Sequence, residues 1–375
     1  MSKRMMIVTG EASGDIYGSL LASEVKRMDP AVELMGVGGE AMRQAGVRVF
    51  LDSGEISVVG IWEAVVRIRS LHKAFNHVKS EIRALKPDLL VLIDYPGMNL
   101  RLARFARRMG IKVMYYISPQ VWAWGRNRIK LIRANVDKMV VILPFEVEVY
   151  RREGIDATYV GHPLIDIVKT SLDRDAFLKR LGLSPSRRLV ALLPGSRPQE
   201  IRQHIGPLID TASILRERFA DLDFIMVSLP SFEQMVADEI RKAGKEMAVT
   251  TELRYEAIAY SDLAIMCSGT VTLEAALLGT PMIVIYRLAL LSWALGRMII
   301  KVPYISLVNL VAREEIVPEF IQAAVNPSVL ADEAARILGD ESRRRNIIER
   351  LRQVKSQLGP GGATREAARV ALSLV

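Results

Sequence analysis

Residues 263–285 read LAIMCSGTVTLEAALLGTPMIVI. Leu263–Met266 is a short apolar run of the kind that forms a buried strand. Cys267, Ser268, Gly269 and Thr270 interrupt it, and Val271 opens a helical pattern that Gly279 and Pro281 end before a second apolar run, Met282–Ile285. Strand, turn, helix and strand in such quick succession make a βαβ unit, whose strands run parallel and are covered on both faces. The alternation continues outward. Leu189–Leu193 and Asp223–Val227 read as further strands of the same half. Before them, Met5–Thr9, Leu89–Ile93, Val113–Ile117 and Lys138–Leu143 read as strands, with helical stretches such as Ile16–Met28 and Leu100–Met109 between. The pattern stops at Pro163 and restarts after Arg188, and the polar stretch between ends in LSPSRR, so the domain break belongs there. The expectation is an α/β protein of two parallel-sheet domains, residues 1–165 and 186–340, with a cleft between them. Residues 341–375 are expected as C-terminal helices, broken around Leu358–Gly362, that return to the first domain or reach a partner chain.

A length of 375 residues agrees with two domains at roughly 150 residues each. One cysteine, Cys267, excludes disulfide scaffolds and cysteine-rich zinc sites. The four histidines, His72, His77, His162 and His204, share no metal-binding spacing. The net charge of +9 suits an anionic partner: nucleic acid, a phosphorylated substrate or an acidic membrane face. The N-terminal apolar stretch is too short for a signal peptide, and Leu288–Leu295 is bracketed too closely by Arg287, Arg297 and Lys301 to span a bilayer, so a cytoplasmic location is expected.

Two turns of the second half suit a nucleotide diphosphate. After Leu193 come Pro194, Gly195, Ser196 and Arg197, then a helix near Gln199. Gly195 and Ser196 leave backbone N–H groups to the turn, the helix start adds partial positive charge, and Arg197 offers a planar fork to phosphate oxygens. After Cys267, Ser268 and Thr270 are expected to cap the next helix and Gly269 to open its backbone donors. Glu274, one turn in, carries a carboxylate that can accept both hydroxyls of a ribose. An ordinary pair of strand-to-helix turns is the plainer reading of each motif alone. Neither is a Walker A loop, and no GxGxxG follows a strand.

In the first half Asp94 follows Leu89–Ile93, with Tyr95, Pro96 and Gly97 as a turn. In an open parallel sheet the carboxyl ends of strands face the ligand, where a carboxylate can act as a general base. The other candidates on this side are Glu11 and Ser13 of GEASGD, Trp122, Trp124 and Arg126 of VWAWGR, and His162. Ser13 is read as a helix cap. The tryptophans either stack on a sugar ring or wall the cleft. Val58–Lys73 places Ile61, Trp62, Val65, Val66 and Ile68 on one helical face with Arg67, Arg69 and Lys73 towards its end. That is the pattern of an interfacial helix, and equally of a core helix with favourable C-terminal cations.

GEASGD (10–15), IDYPGMN (93–99), YYISPQVWAWGRNRIK (115–130), LPFE (143–146), VGHP (160–163), LLPGSR (192–197), SGTVTLEAALLGTPMIV (268–284) and YISLVNLVA (304–312) together resemble the lipid-A-disaccharide synthases, inverting glycosyltransferases of family 19. The resemblance runs in order from Met6 to Ala312. It implies the GT-B fold, two Rossmann-like domains facing across a cleft. It implies a donor, UDP-2,3-diacylglucosamine, and an acceptor, 2,3-diacylglucosamine 1-phosphate (lipid X), giving the β-1,6-linked disaccharide 1-phosphate and UDP. The UDP-sugar is a substrate, so no cofactor is implied, and no metal is expected. The family's aspartate base corresponds to Asp94, its pyrophosphate-binding arginine to Arg197, its ribose-binding glutamate to Glu274 and its SLxNL asparagine to Asn309. Many relatives carry a second acidic residue where this chain has Gly97, which argues here against a two-carboxylate scheme. With acylated substrates, Ile61–Lys73 becomes a membrane contact, the +9 charge fits the inner face of the cytoplasmic membrane, and nucleic acid drops out as a partner. A homodimer stays open. The rivals are another UDP-sugar enzyme of this fold, a UDP-N-acetylglucosamine 2-epimerase or a peptidoglycan-type transferase, and a non-catalytic basic binding protein.

Overall fold

The computed structural model describes residues 3–10, 12–56, 68–122, 127–288 and 302–375. The chain divides into two compact units, Met1–Pro163 with Leu358–Val375, and Leu164–Gln357.

The first unit is a seven-stranded sheet: β1 (Arg4–Val8), β2 (Glu33–Gly38), β3 (Arg48–Asp52), β4 (Leu89–Ile93), β5 (Lys112–Tyr116), β6 (Lys138–Val141) and β7 (Ala157–Tyr159). The order is β3-β2-β1-β4-β5-β6-β7, and each pairing is parallel. Its helices are α1 (Ala12–Met28), α2 (Glu40–Gln44), α3 (Ser53–Ile56), α4 (Ile68–Leu85), α5 (Pro96–Arg108), α6 (Asn127–Asn135) and α7 (Glu146–Arg152). Every residue of β4 is buried, the mark of a strand covered on both faces. Ala74, Val78 and Ile82 turn one stripe of α4 into the same core as Leu102, Ala103 and Ala106 of α5.

The second unit has β8 (Arg188–Leu193), β9 (Leu222–Val227), β10 (Ala248–Thr250), β11 (Leu263–Cys267), β12 (Met282–Tyr286) and β13 (Glu319–Ile321) in the order β10-β9-β8-β11-β12-β13, again parallel. Its helices are α8 (Leu164–Ile167), α9 (Arg174–Leu181), α10 (Pro198–Arg218), α11 (Glu233–Lys242), α12 (Arg254–Ala259), α13 (Val271–Leu278), α14 (Leu307–Ala312), α15 (Pro327–Gly339) and α16 (Glu341–Gln357). The eight expected strands are β1, β4, β5, β6, β8, β9, β11 and β12, with ends moved by one or two residues.

The C-terminal helices part company at Gln357. The last helix, α17 (Ala363–Leu372), lies in the first unit and packs along α1, and Arg365 stands 3.9 Å from Glu24 there. The return is fastened where His162 donates its backbone N–H to the carbonyl of Leu358, at 2.9 Å.

Candidate active site

Both sheets reverse their strand order once, between β1 and β4 in the first unit and between β8 and β11 in the second. Chains leave such neighbouring strands in opposite directions, so a crevice opens at their carboxyl ends, and ligands of open α/β sheets bind there. The residues that follow these four strands are GEASGD, Asp94, PGSR and SGT. Four of the motifs singled out by their chemistry therefore stand at a switch point, while VWAWGR follows β5, His162 follows β7 and Asn309 lies in α14.

In the first unit the turn after β4 is held from several sides. Asp94 and Tyr95 both lie in the left-handed region, at φ 45° and 44°, before Pro96 starts α5. Consecutive non-glycine residues there are strained and persist only where their surroundings fix them. Asn99 donates its side-chain amide to the carbonyls of Ile93 (3.1 Å) and Asp94 (2.8 Å), the Tyr115 hydroxyl donates to the Asp94 carbonyl, and the Asp94 N–H reaches the Ile117 carbonyl at 3.3 Å. Tyr115 is buried, which raises its phenol well above the usual range. Opposite, the Tyr95 ring covers Gly10. The expected turn at Tyr95–Gly97 is thus the first turn of α5, because Pro96 suits a helix start.

Ser13 is exposed within the first turn of α1 and does not precede it, so it is not that helix's cap. Asp15 has a capping role instead: its carboxylate accepts from the N–H groups of Gly39, Ala41 and Met42 at the start of α2. Trp122 is half-buried, its indole N–H bound to Glu146 and its ring edge-on to Phe145. His162 is buried, which pushes its imidazole down to about 4. Glu11, Trp124 and Arg126 lie outside the described residues, as do Ile61, Trp62, Val65, Val66 and Arg67. Arg69 and Lys73 are exposed on the first turns of α4.

In the second unit Gly195 takes φ 133°, and a Cβ there would sit 2.6 Å from Glu200 Cβ, so the turn is closed to larger residues. Arg197 is the residue before α10, with half its side chain exposed. Glu200, nearly buried, accepts from the Ser196 N–H at 3.0 Å and from Arg197 Nη1 at 3.3 Å, a reach-back across the first helical turn. His204, one turn further on, is fully buried: Arg287 N–H donates to its Nε2 (2.8 Å), so its proton is on Nδ1 and points to the Pro194 carbonyl (2.9 Å). Burial lowers its pKa and keeps it neutral.

The neighbouring turn differs from expectation at its cap. Thr270 has helical backbone angles and its side chain caps nothing, while the Ser268 hydroxyl donates to the Ile305 carbonyl at 2.7 Å. Gly269 and Thr270 are exposed, which leaves this turn open to a ligand. Glu274 is buried beside Arg254, 3.5 Å from its Oε1. Its Oε2 has no hydrogen-bond partner among the described residues, and burial raises its pKa. A buried carboxylate oxygen without a donor is what two ribose hydroxyls would satisfy. Asn309, expected at the nucleotide, is fully used by the chain: Nδ2 donates to Val317 O and Glu319, and Oδ1 accepts from the N–H groups of Ile316 and Val317. Glu319 in turn accepts from Ser306 and from the N–H of Ile305, the residue that receives Ser268. Asn309 and Glu319 together hold the loop whose Ile305 carbonyl receives Ser268.

A sequence profile of the family described as lipid-A-disaccharide synthetase matches residues 5–372. The chain belongs to the lipid-A-disaccharide synthase family. It is 43% identical over 376 residues to the lipid-A-disaccharide synthase of Syntrophus aciditrophicus, covering 100% of this chain and 98% of that one. It is likewise 43% identical over 375 residues to that of Geobacter sulfurreducens, with the same coverage. In fold it is similar to the UDP-GlcNAc 2-epimerase of Neisseria meningitidis bound to UDP-GlcNAc, with a TM-score of 0.69, 10% identity and 99% and 100% of the two chains covered. Membership makes the protein a glycosyltransferase of lipid A biosynthesis with a GT-B-type pair of domains, and the epimerase reading gives way to it.

The sequence alone did not mark Asn99, Tyr115, Glu146, Glu200, His204 and Glu319, which bond to the turns and loops described above. Two of them left a signal: Glu200 stands three residues after Arg197, the capping spacing, and His204 follows at the next turn of the same helix. Among the described residues no group of three or more His, Cys, Asp or Glu is placed to hold a metal ion, and no helix is long and apolar enough to cross a membrane.

Proposed function

We propose that the protein joins UDP-2,3-diacylglucosamine to 2,3-diacylglucosamine 1-phosphate, with the donor's diphosphate on the second unit and the acceptor hydroxyl at Asp94 of the first. The observation that carries this reading is the position of Asp94, PGSR and SGT at the switch points of their own sheets.

An alcohol is a poor nucleophile at neutral pH. Asp94 takes the proton of the acceptor 6-hydroxyl as its oxygen bonds to the donor's anomeric carbon. The bond from that carbon to the β-phosphate oxygen breaks on the opposite side, the electron pair leaves with UDP, and the α-linked donor becomes a β-glycoside. Charge that grows on the β-phosphate meets the Arg197 guanidinium and the N–H groups of Gly195 and Gly269, while the Ser196 N–H is held by Glu200. Glu274 accepts the ribose hydroxyls. Asn99 and Tyr115 keep the Asp94 backbone in its strained form, so the carboxylate is presented in one direction.

The acyl chains of both substrates call for delivery at a lipid surface. Helices α4 and α5 carry eight Lys and Arg residues against one carboxylate, Glu81. Arg69, Lys73, Lys79, Arg83, Arg101, Arg104 and Arg108 pair with no carboxylate among the described residues. Lys79 and Arg83 stand over the Phe105 ring, and Arg101, Arg104 and Arg108 are exposed on the same helix as that ring. This face fits the anionic headgroups of the membrane's inner surface.

The test is incubation with both acylated substrates in detergent, with UDP and the disaccharide 1-phosphate measured together. Equal release of the two supports the reading. UDP without disaccharide, or an epimerised UDP-sugar, overturns it.

A further inference from the structure

The carboxylate of Glu146, at the start of α7, is 2% exposed, and the mechanism above does not use it. It gathers three donors from two segments. The Ser118 hydroxyl and the Trp122 indole N–H donate to Oε1, at 2.5 and 3.2 Å, and the Leu143 N–H donates to Oε2 at 3.1 Å. One turn along α7, the Tyr150 hydroxyl donates to the Pro119 carbonyl at 3.2 Å, so the same helix grips the same segment twice. Phe145 supports the Trp122 ring edge-on, with centroids 5.1 Å apart.

That segment leaves the carboxyl end of β5, next to β4, and its first residue, Ile117, accepts the Asp94 N–H. Ile117 is also left-handed, at φ 61°. Glu146, Ser118, Ile117 and Asp94 thus form a continuous chain of contacts from a buried anion to the proposed base, with Trp122 on a side arm.

We propose that Glu146 is a positioning residue: its carboxylate fixes the Ser118–Trp122 segment and thereby sets the placement of both the Trp122 ring and the Asp94 turn. This rests on the reading of the first unit as the acceptor side. A glutamine cannot replace it, since donors face both oxygens and an amide offers only one acceptor. A purely packing role would be filled better by an apolar side chain, because a buried carboxylate costs free energy unless each oxygen is bonded.

The clamp has a spectroscopic handle. Burial, opposed by the hydrogen bonds from Ser118, Leu143 and Trp122, raises the carboxyl to about 7. The neighbouring titratable group is the Tyr150 phenol, which burial keeps neutral throughout this range. Protonation turns one carboxylate oxygen into a donor that faces donors, and the indole loses its anionic partner.

The experiment uses the full chain with Trp62, Trp124 and Trp293 changed to Phe, so that Trp122 is the sole indole. Its emission is expected to titrate with a midpoint near 7, to lose that titration in Glu146→Gln, and to titrate at higher pH in Ser118→Ala, where one hydrogen bond to the charged form is gone. With all tryptophans restored, Glu146→Gln is expected to lower the disaccharide-forming kcat by roughly 10- to 100-fold with the KM for the UDP-sugar unchanged. If Trp122 emission ignores both pH and Glu146→Gln, or if the folded Gln variant turns over at the parent rate, the proposal falls. If the parent makes no disaccharide, the functional reading fails while the emission arm still decides the clamp.

Discussion

The ring of Tyr95 lies directly on Gly10: a Cβ at position 10 would fall 2.2 Å from Tyr95 Cγ. The two residues follow β4 and β1, the strands that flank the switch point, so this contact closes the floor of the first unit's crevice. Gly10→Ala must move Tyr95, and with it the neighbouring left-handed Asp94. The variant is expected to lose roughly 100-fold in turnover while UDP binding stays at the parent level. Kinetics beside calorimetry with UDP separate the two; equal turnover would show that the ring shifts without carrying Asp94.

Asp94→Asn removes the base and keeps the shape. A lost general base costs about 10²–10⁴ in rate. Turnover should fall within that span at unchanged UDP affinity, and the acidic limb of the pH–rate profile should go with it. A variant with near-parent turnover assigns the base elsewhere. Asn99→Ala, which leaves the Asp94 carbonyl with Tyr115 as its remaining side-chain donor, should produce a smaller loss of kcat with the limb retained.

Arg197→Ala should weaken UDP binding more than Arg197→Lys does, because lysine keeps the charge and lacks the bidentate fork. Glu200 engages Arg197 at Nη1, which orients the guanidinium beside the turn and leaves its other nitrogens to a phosphate. Calorimetric titration of the two variants with UDP reads the order directly. Parent-like binding by the alanine variant would mean that the diphosphate sits away from PGSR.

His162 couples the first unit's stability to pH. Its imidazole titrates at about 4 in the fold against 6.5 when unperturbed, so the folded state holds it neutral and the unfolded chain binds the proton first. The contribution is complete above pH 6.5 and is lost as pH falls through 4, about 3 kcal/mol over that window. Thermal midpoints of the parent should drop across it, and His162→Gln should show a shallower drop from a lower start. Parallel curves would place the acid sensitivity on other groups, His204 first among them.

Legibility followed burial. Contiguous Val, Ile, Leu and Met runs mark central strands covered on both faces, and all eight strands read from such runs are present. β2 reads ELMGVG and β3 RVFLD, β7, β10 and β13 span three residues each, and none offers a run long enough to stand out. The site motifs were visible because glycine, arginine and carboxylates cluster after strands. Their support was not. Glu319 meets Ile305 and Ser306, and Glu146 meets Ser118, across sequence gaps that only the fold closes. Asn309 shows the reverse: a polar residue in a suggestive motif turns out to be consumed by Val317 and Glu319.

The basic face of α4 and α5 carries the last prediction. A cation near an anionic surface contributes about 1 kcal/mol, and the effect fades within a Debye length. Lys79 and Arg83 lean on Phe105, so their stems are ordered while their charges stay without carboxylate partners among the described residues. Salt bridges elsewhere on the same surface, such as Arg107 with Asp137, show that free cations are not the rule for α5. Changing Arg101, Arg104 and Arg108 to Glu leaves the buried residues Leu102, Ala103 and Ala106 in place, so the helix should keep its packing. Co-sedimentation with vesicles containing anionic lipid should then fall by about 10²-fold or more in apparent affinity, from about 3 kcal/mol of lost attraction with repulsion added. The parent should come off the same vesicles in high salt and ignore neutral ones. A core-only role for this face predicts the opposite pair of results: a lowered thermal midpoint and unchanged sedimentation of the folded fraction.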